Sequence, residues 1–488
     1  MRINSQKNHV FLSYRLNIEP SNTAERTIIM ANQNLGIDWK RWYDDHKVPV
    51  EGSSKLIENG DVVWMGQGPQ IPFEMLDEMN THIEDYKDVF LIWNCSTYPF
   101  DLLTNPETKG HIRMTSMFDL IFERMSQEMG ILENSGNGYD HIYDTLQAYK
   151  CNVFAVHLLG PDENGWCNFG HYGCSNGSII MHMPGITKKI AFIDRTGMCP
   201  IKGDRDFVSV HISEFDYIIE ADTEMIEFPA PQPTEVDKKI AAYIAPYLND
   251  GDKLEIGWGG LGTEILNNLK GTGTYEIFSE VFCDSMATLC EEGVLTSITA
   301  CSPAACTPYF FEFASRDGRA KIISMMEAIN LDVIDKQENL VAINSTFMVD
   351  LIGQACSEAQ GLKPYSGAGG SLAYIYGAMR APGGRSFVAL RSTYVDHGGE
   401  LHSNIVPWLP AGCIVTTPKN IMMYIVSEWG VADVFLKTLP DRIRALIKIA
   451  HPKFREWLKE QILTTPLICA ADFNGYELFD NVAPEDMP

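Results

Sequence analysis

A chain of 488 residues is too long for one hydrophobic core and predicts two or more domains of roughly 200 residues each. Against 38 basic side chains stand 64 acidic ones, a formal net charge of -26, which excludes nucleic acid or an anionic membrane as the principal partner. No run approaches the roughly 20 apolar residues that span a bilayer and no signal-peptide core opens the chain, so a cytoplasmic protein is expected.

Residues 1–29 are polar and lack periodicity, and Met30 opens a stretch, MANQNLGIDWKRWYDDHK, that reads like a natural start. Two readings stand: a disordered extension, or translation beginning at Met30. Glu19 and Glu25 argue against a transit peptide. The predicted organisation is an N-terminal extension over 1–36, a first α/β domain over 37–228 and a second over 234–488.

From Asn59, NGDVVWMGQGPQIPFEMLDEM predicts a turn, a short apolar strand, a Gly-x-Gly loop and a helix starting near Pro72. The unit returns as DGDKLEIGWGGLGTEILNNL, pairing Gly60 with Gly251, Asp61 with Asp252, Gly66 with Gly257 and Gly68 with Gly259, so the two halves share a plan. Between them, Val89–Trp93, Val153–Leu159 and Lys189–Ile193 suit buried strands of a largely parallel sheet, with a helical pattern over Ser116–Met129. Prolines 229, 231 and 233 mark the linker, and EVDKKIAAYIAPYL opens the second half as a helix. Beyond it the expected strands are Leu340–Ile343, Ser386–Leu390 and Cys413–Thr416, with a glycine cluster, YSGAGG, from Tyr365 and a closing helix at Asp441–Ala450.

The twelve cysteines form no C-x-x-C pair, which excludes a zinc ribbon and a disulfide framework. The nearest pairs, Cys167 with Cys174 and Cys301 with Cys306, lack histidines at ligand spacing, so no metal is assigned.

Gly257-Trp258-Gly259-Gly260-Leu261-Gly262 satisfies G-x-G-x-x-G between a strand and a helix, with Glu276 about 20 residues on, the spacing of a dinucleotide site. Its partial copy has Pro69 where a helix should offer amides, so a tight turn that admits close approach is the common denominator. In YEIFSEVFCDSM, Glu280 falls where a short strand runs out. It reads as a solvated charge, a ribose ligand or an activated nucleophile, and spacing alone favours the solvated charge.

From about Asp38 onward the chain resembles the family I coenzyme A transferases, through LEIGWGGLG, FSEVFCDSM, LVAINSTFMVDLIGQACSE, YSGAGG, IVTTPKN, YIVSEWGVADVFLKT and RALIKIAHPKFRE in that order. The resemblance implies two related open α/β domains with largely parallel sheets and an active site in the cleft between them. It implies that Glu280 attacks an acyl-CoA thioester and passes through a glutamyl-CoA thioester, with Asn344 serving the oxyanion. It further implies that Gly367, Gly369 and Gly370 supply amides and room for the pantetheine arm, that Gly257, Gly259, Gly260 and Gly68 line the CoA site, and that Gln67 faces the nucleophile from the first half. The substrates implied are a short-chain acyl-CoA and a carboxylic acid, with no cofactor beyond coenzyme A itself, in a homodimer or larger homo-oligomer that is cytoplasmic or, in a eukaryote, in the mitochondrial matrix.

Ser392 and Thr393 match a family S-T pair, whereas His397 and His402 are expected to be loop or core residues because the chemistry needs no proton shuttle. Phe278-Ser279 before the glutamate, Asp284-Ser285 after it, and Trp258 and Trp429 depart from the family pattern and leave the acyl group open. The competing readings are an acyl-CoA hydrolase on the same scaffold, an NAD-binding oxidoreductase and a non-enzymatic CoA sensor.

Overall fold

The uninterrupted apolar runs become the central strands of two eight-stranded sheets, buried on both faces by helices as parallel strands require. The computed structural model describes residues 36–170, 177–195, 200–201, 208–222, 230–304 and 306–483. The expected extension up to residue 35, Met30 included, lies outside the described residues, as do Cys174 and Pro229.

The first sheet is built from β1 (Lys47–Val48), β2 (Val62–Gln67), β3 (Val89–Asn94), β4 (Ile112–Ser116), β5 (Glu133–Asn134), β6 (Val153–Leu159), β7 (Lys188–Asp194) and β8 (Tyr217–Glu220). The second comprises β9 (Lys253–Ile256), β10 (Tyr275–Phe278), β11 (Leu295–Ala300), β12 (Ala320–Ile322), β13 (Leu340–Ser345), β14 (Arg385–Ala389), β15 (Tyr424–Ser427) and β16 (Gly430–Asp433). Across the first sheet the order is β5-β4-β3-β2-β6-β7-β8-β1, and across the second it is β12-β11-β10-β9-β13-β14-β15-β16. Seven positions therefore correspond. Only the last differs, where β1 runs parallel to β8 but β16 runs antiparallel to β15.

The sequence repeat has a physical basis at the start of each central strand. Gly60 and Gly251 hold φ of 89° and 85°, a region that favours glycine. The next residue's carboxylate caps the turn: Asp61 accepts from Glu58 N at 2.8 Å and Asp252 from Asn249 N at 2.7 Å. Each buried aspartate then meets a cation on the second strand beyond the switch of direction, Lys188 at 3.1 Å in the first half and Arg385 in the second. The helix that opens the second half, Glu235–Ile244, starts at a reciprocal cap in which Thr234 and Asp237 bond each other's backbone N–H.

The halves are packed together, since one buried apolar cluster runs from Phe154 and Ile193 through Met117 and Tyr139 to Ile277 and Phe278. Two expected elements differ. The helical pattern at Ser116–Met129 is the end of β4 followed by a helix only at Ile121–Glu128. The expected strand Cys413–Thr416 is a loop with Ile414 and Val415 exposed, because the sheet position it would fill is taken by β15.

Candidate active site

Residues two apart on a strand share a face, and laterally paired residues of a sheet point the same way. Leu254 pairs with Ile277 and Glu255 with Ala342, so Phe278, Glu255 and Ala342 are level, and Glu280 and Asn344 follow on the same face. Three polar residues from three neighbouring strand ends are thus brought together. Asn344 Nδ2 donates to Glu255 Oε2 at 2.6 Å, and both residues are buried.

Glu280 retains some accessible surface, yet its carboxyl lies deep in the cleft where the halves meet. Burial pushes it up to about 7, and a hydrogen bond from the Gly370 backbone pulls it back only in part. Gly370 caps the helix Ser371–Arg380, and a Cβ there would stand 2.3 Å from Glu280 Oε2, so only glycine admits the carboxylate. The Glu280 carbonyl is anchored separately, accepting from Cys301 N at 3.2 Å and Ser302 N at 2.9 Å.

The first half closes the site. Gln67 Nε2 donates to Ser302 Oγ at 3.2 Å, reaching the residue whose N–H holds the Glu280 carbonyl. Tyr139 and Cys95 bond each other and lie close enough to Glu280 for its charge to help burial push both the phenol and the thiol up. Cys95 also supplies the carbonyl that accepts from Gly68 N at 2.9 Å, which holds the Gln67 loop.

The glycines divide by what they touch. Gly367 has its Cα against the first half, where a Cβ would sit 2.1 Å from the Met117 carbonyl oxygen, and Gly369 O accepts from Tyr139 N at 3.4 Å. Those two let the halves approach, whereas Gly370 makes room for the carboxylate. Gly257 donates its N–H to the Ile343 carbonyl at 3.1 Å and lies next to Asn344, and Gly259 and Gly260 start the helix Gly260–Asn267. Trp258, half exposed between them, stands over a cleft lined by Gly257, Gly259, Val281, Cys283 and Ser285.

Glu276 does not join this group. As the second residue of β10 it pairs with Lys253 at 3.7 Å at the opposite edge of the sheet from the glycine loop, so it cannot serve a ribose at the strand ends. Ser392 is tied by Glu428, to which its N–H donates at 2.9 Å, and it accepts from Trp429 Nε1 at 3.2 Å. His402 pairs with Asp396 at 2.9 Å on the hairpin Thr393–Val395/Leu401–Ser403, where Asp396, Glu400 and His402 have ligand atoms within 4.8 Å of one another, largely exposed.

Sequence reasoning missed Glu255 and Tyr374. Glu255 is 3% exposed, and burial with the nearby charge of Glu280 pushes it up to about 8 against the pull of Asn344. Its signal was present: an acid inside the apolar run of a central strand, KLEIG, needs a partner. Tyr374, fully buried on the helix behind Gly370, feels Cys301, Glu255 and Glu280 together, and its hydroxyl has no hydrogen-bond partner among the described residues.

Residues 307–462 match the family model for the acetyl-CoA hydrolase/transferase C-terminal domain. The chain is 31% identical over 363 residues to the succinyl-CoA:cyclohexane-1-carboxylate CoA transferase of Geobacter metallireducens, spanning 72% of this chain and 81% of that protein. To the 4-hydroxybutyrate coenzyme A transferase of Clostridium kluyveri it is 29% identical over 435 residues, 87% of this chain and 99% of the relative. RipA from Yersinia pestis shares the fold with a TM-score of 0.79 at 24% identity, covering 88% of this chain and 100% of that one. A 4-hydroxybutyrate CoA-transferase from Porphyromonas gingivalis does so with a TM-score of 0.71 at 23% identity and the same two coverages, 88% and 100%.

Proposed function

The chain belongs to the family I coenzyme A transferases, and from that premise we propose that it moves coenzyme A between a short-chain acyl-CoA and a carboxylic acid through Glu280. The observation that carries the reading is a desolvated carboxyl at a strand end, set against the Gly370 backbone, beside Ser302, to which Gln67 of the other half donates.

The Glu280 carboxylate attacks the thioester carbonyl. The C–S bond breaks, leaving a mixed acyl-glutamyl anhydride and CoA thiolate. The thiolate then attacks the glutamyl carbonyl, the first acid leaves as its carboxylate, and a glutamyl-CoA thioester remains. An incoming carboxylate reverses both steps and departs as the new acyl-CoA. A carboxylate is a weak nucleophile in water, so the closed cleft and oriented donors supply the rate. Asn344 has a second amide N–H beyond the one given to Glu255, and it serves the developing oxyanion. The sequence of steps needs no metal or redox cofactor.

Residues 37–228 and 234–488 are the two domains on this reading, and the protein works as a homodimer or larger homo-oligomer in the cytoplasm or, in a eukaryote, the mitochondrial matrix. The test is isotope exchange: labelled acetate should enter acetyl-CoA in the absence of any second acyl-CoA, and Glu280→Gln should abolish the exchange. CoA release that ignores added carboxylates would replace transfer with hydrolysis.

A further inference from the structure

We propose that Glu255 is a positioning residue for transfer: as a neutral carboxyl it holds the Asn344 amide and limits the site to one negative charge, that of Glu280. The inference rests on the reading of Glu280 as nucleophile.

Register puts Glu255 level with Ala342, two residues before Asn344 on the adjoining strand, and the 2.6 Å bond from Asn344 Nδ2 fixes the amide plane. A carboxylic acid can also accept that bond through its carbonyl oxygen, less strongly than a carboxylate, so the contact pulls toward ionisation but does not require a charge. The surroundings decide. Among the described residues, the titratable groups around it are Glu280 at the end of β10 and Tyr374 on the helix Ser371–Arg380, with Cys301 at the end of β11 acting on the same tyrosine. All are acids, so none can balance a second anion. Burial and the Glu280 charge accordingly hold the Glu255 proton up to about 8, above Glu280 at about 7.

The consequence for transfer has two limbs. Glu280 must lose its proton to attack, so the rate rises as pH climbs through about 7. Glu255 must keep its proton, because a second anion beside the amide opposes the charge that develops on the thioester oxygen. The rate therefore falls as pH climbs through about 8, and the two apparent values belong to the pair.

The experiment is the pH profile of acetate exchange for wild type and Glu255→Gln, each also treated with acetyl-CoA and borohydride and mapped at residue 280. Glutamine is neutral and can hold the Asn344 amide. The expected result is a neutral-pH rate within about threefold of wild type and loss of the alkaline fall. A variant that falls above pH 8 as wild type does, or that is inactive at neutral pH while still folded, overturns the proposal. Failure to trap residue 280 in wild type would instead remove the nucleophile reading. Should the variant not fold, the wild-type profile decides: a fall centred near 8 upholds the assignment, and a rate level to about pH 9.5 overturns it.

Discussion

Counted along the paired strands, Trp64, Asn94 and Val156 of the first half stand where Glu255, Glu280 and Asn344 stand in the second. The backbone plan is shared, down to the capped turn and the aspartate–cation pair beneath the central strand. The first half fills its strand ends with a buried indole and a valine, which stabilise by burial. The second places two carboxyls and an amide there, which costs stability and, on the proposed function, supplies the reacting groups. Architecture alone therefore does not make a site. The first half contributes instead through Gln67, the last residue of β2, Cys95, just past β3, and Tyr139, at the start of a short helical turn.

The sharpest way to break this contrast is to remove the proposed nucleophile: Glu280→Ala should lower transfer by on the order of 10⁴-fold or more in steady-state assays. Asn344→Ala, which removes the amide that the first half replaces with Val156, should lower kcat by about 10²-fold with little change in KM, read by initial-rate kinetics.

Stability should move the other way. Glu280 is held at about 7 when folded against 4.5 as an ordinary carboxyl, so its ionisation opposes folding above pH 7 and is relieved as pH falls toward 4.5. Glu280→Gln should thus gain about 3 kcal/mol in urea unfolding at pH 8 and nothing near pH 4.5. The smallest effect belongs to the first half. Asn94 is buried with no hydrogen-bond partner for either amide atom among the described residues, and Asn94→Leu should stabilise by about 1 kcal/mol while transfer is unchanged.

Much of this was legible in the sequence. The apolar runs located the central strands, the recurrence of Gly60-Asp61 at Gly251-Asp252 announced the repeat, and Glu280 at the end of YEIF was singled out with the family's help. What escaped depends on register. Glu255 and Asn344 lie 89 residues apart and meet only because β9 and β13 pair with a particular offset. Gly367 is glycine because Met117 of the other half comes against it, a contact no local pattern encodes. Glu276 showed the reverse error, since dinucleotide spacing held in the sequence while the strand carried the residue to the wrong edge.

The most direct test of the central claim is to mix the protein with acetyl-CoA, reduce with borohydride and map the peptides by mass spectrometry. Conversion of the residue 280 side chain to an alcohol, absent in Glu280→Ala, is the predicted result. Tight acyl-CoA binding with no modification at residue 280 would contradict it.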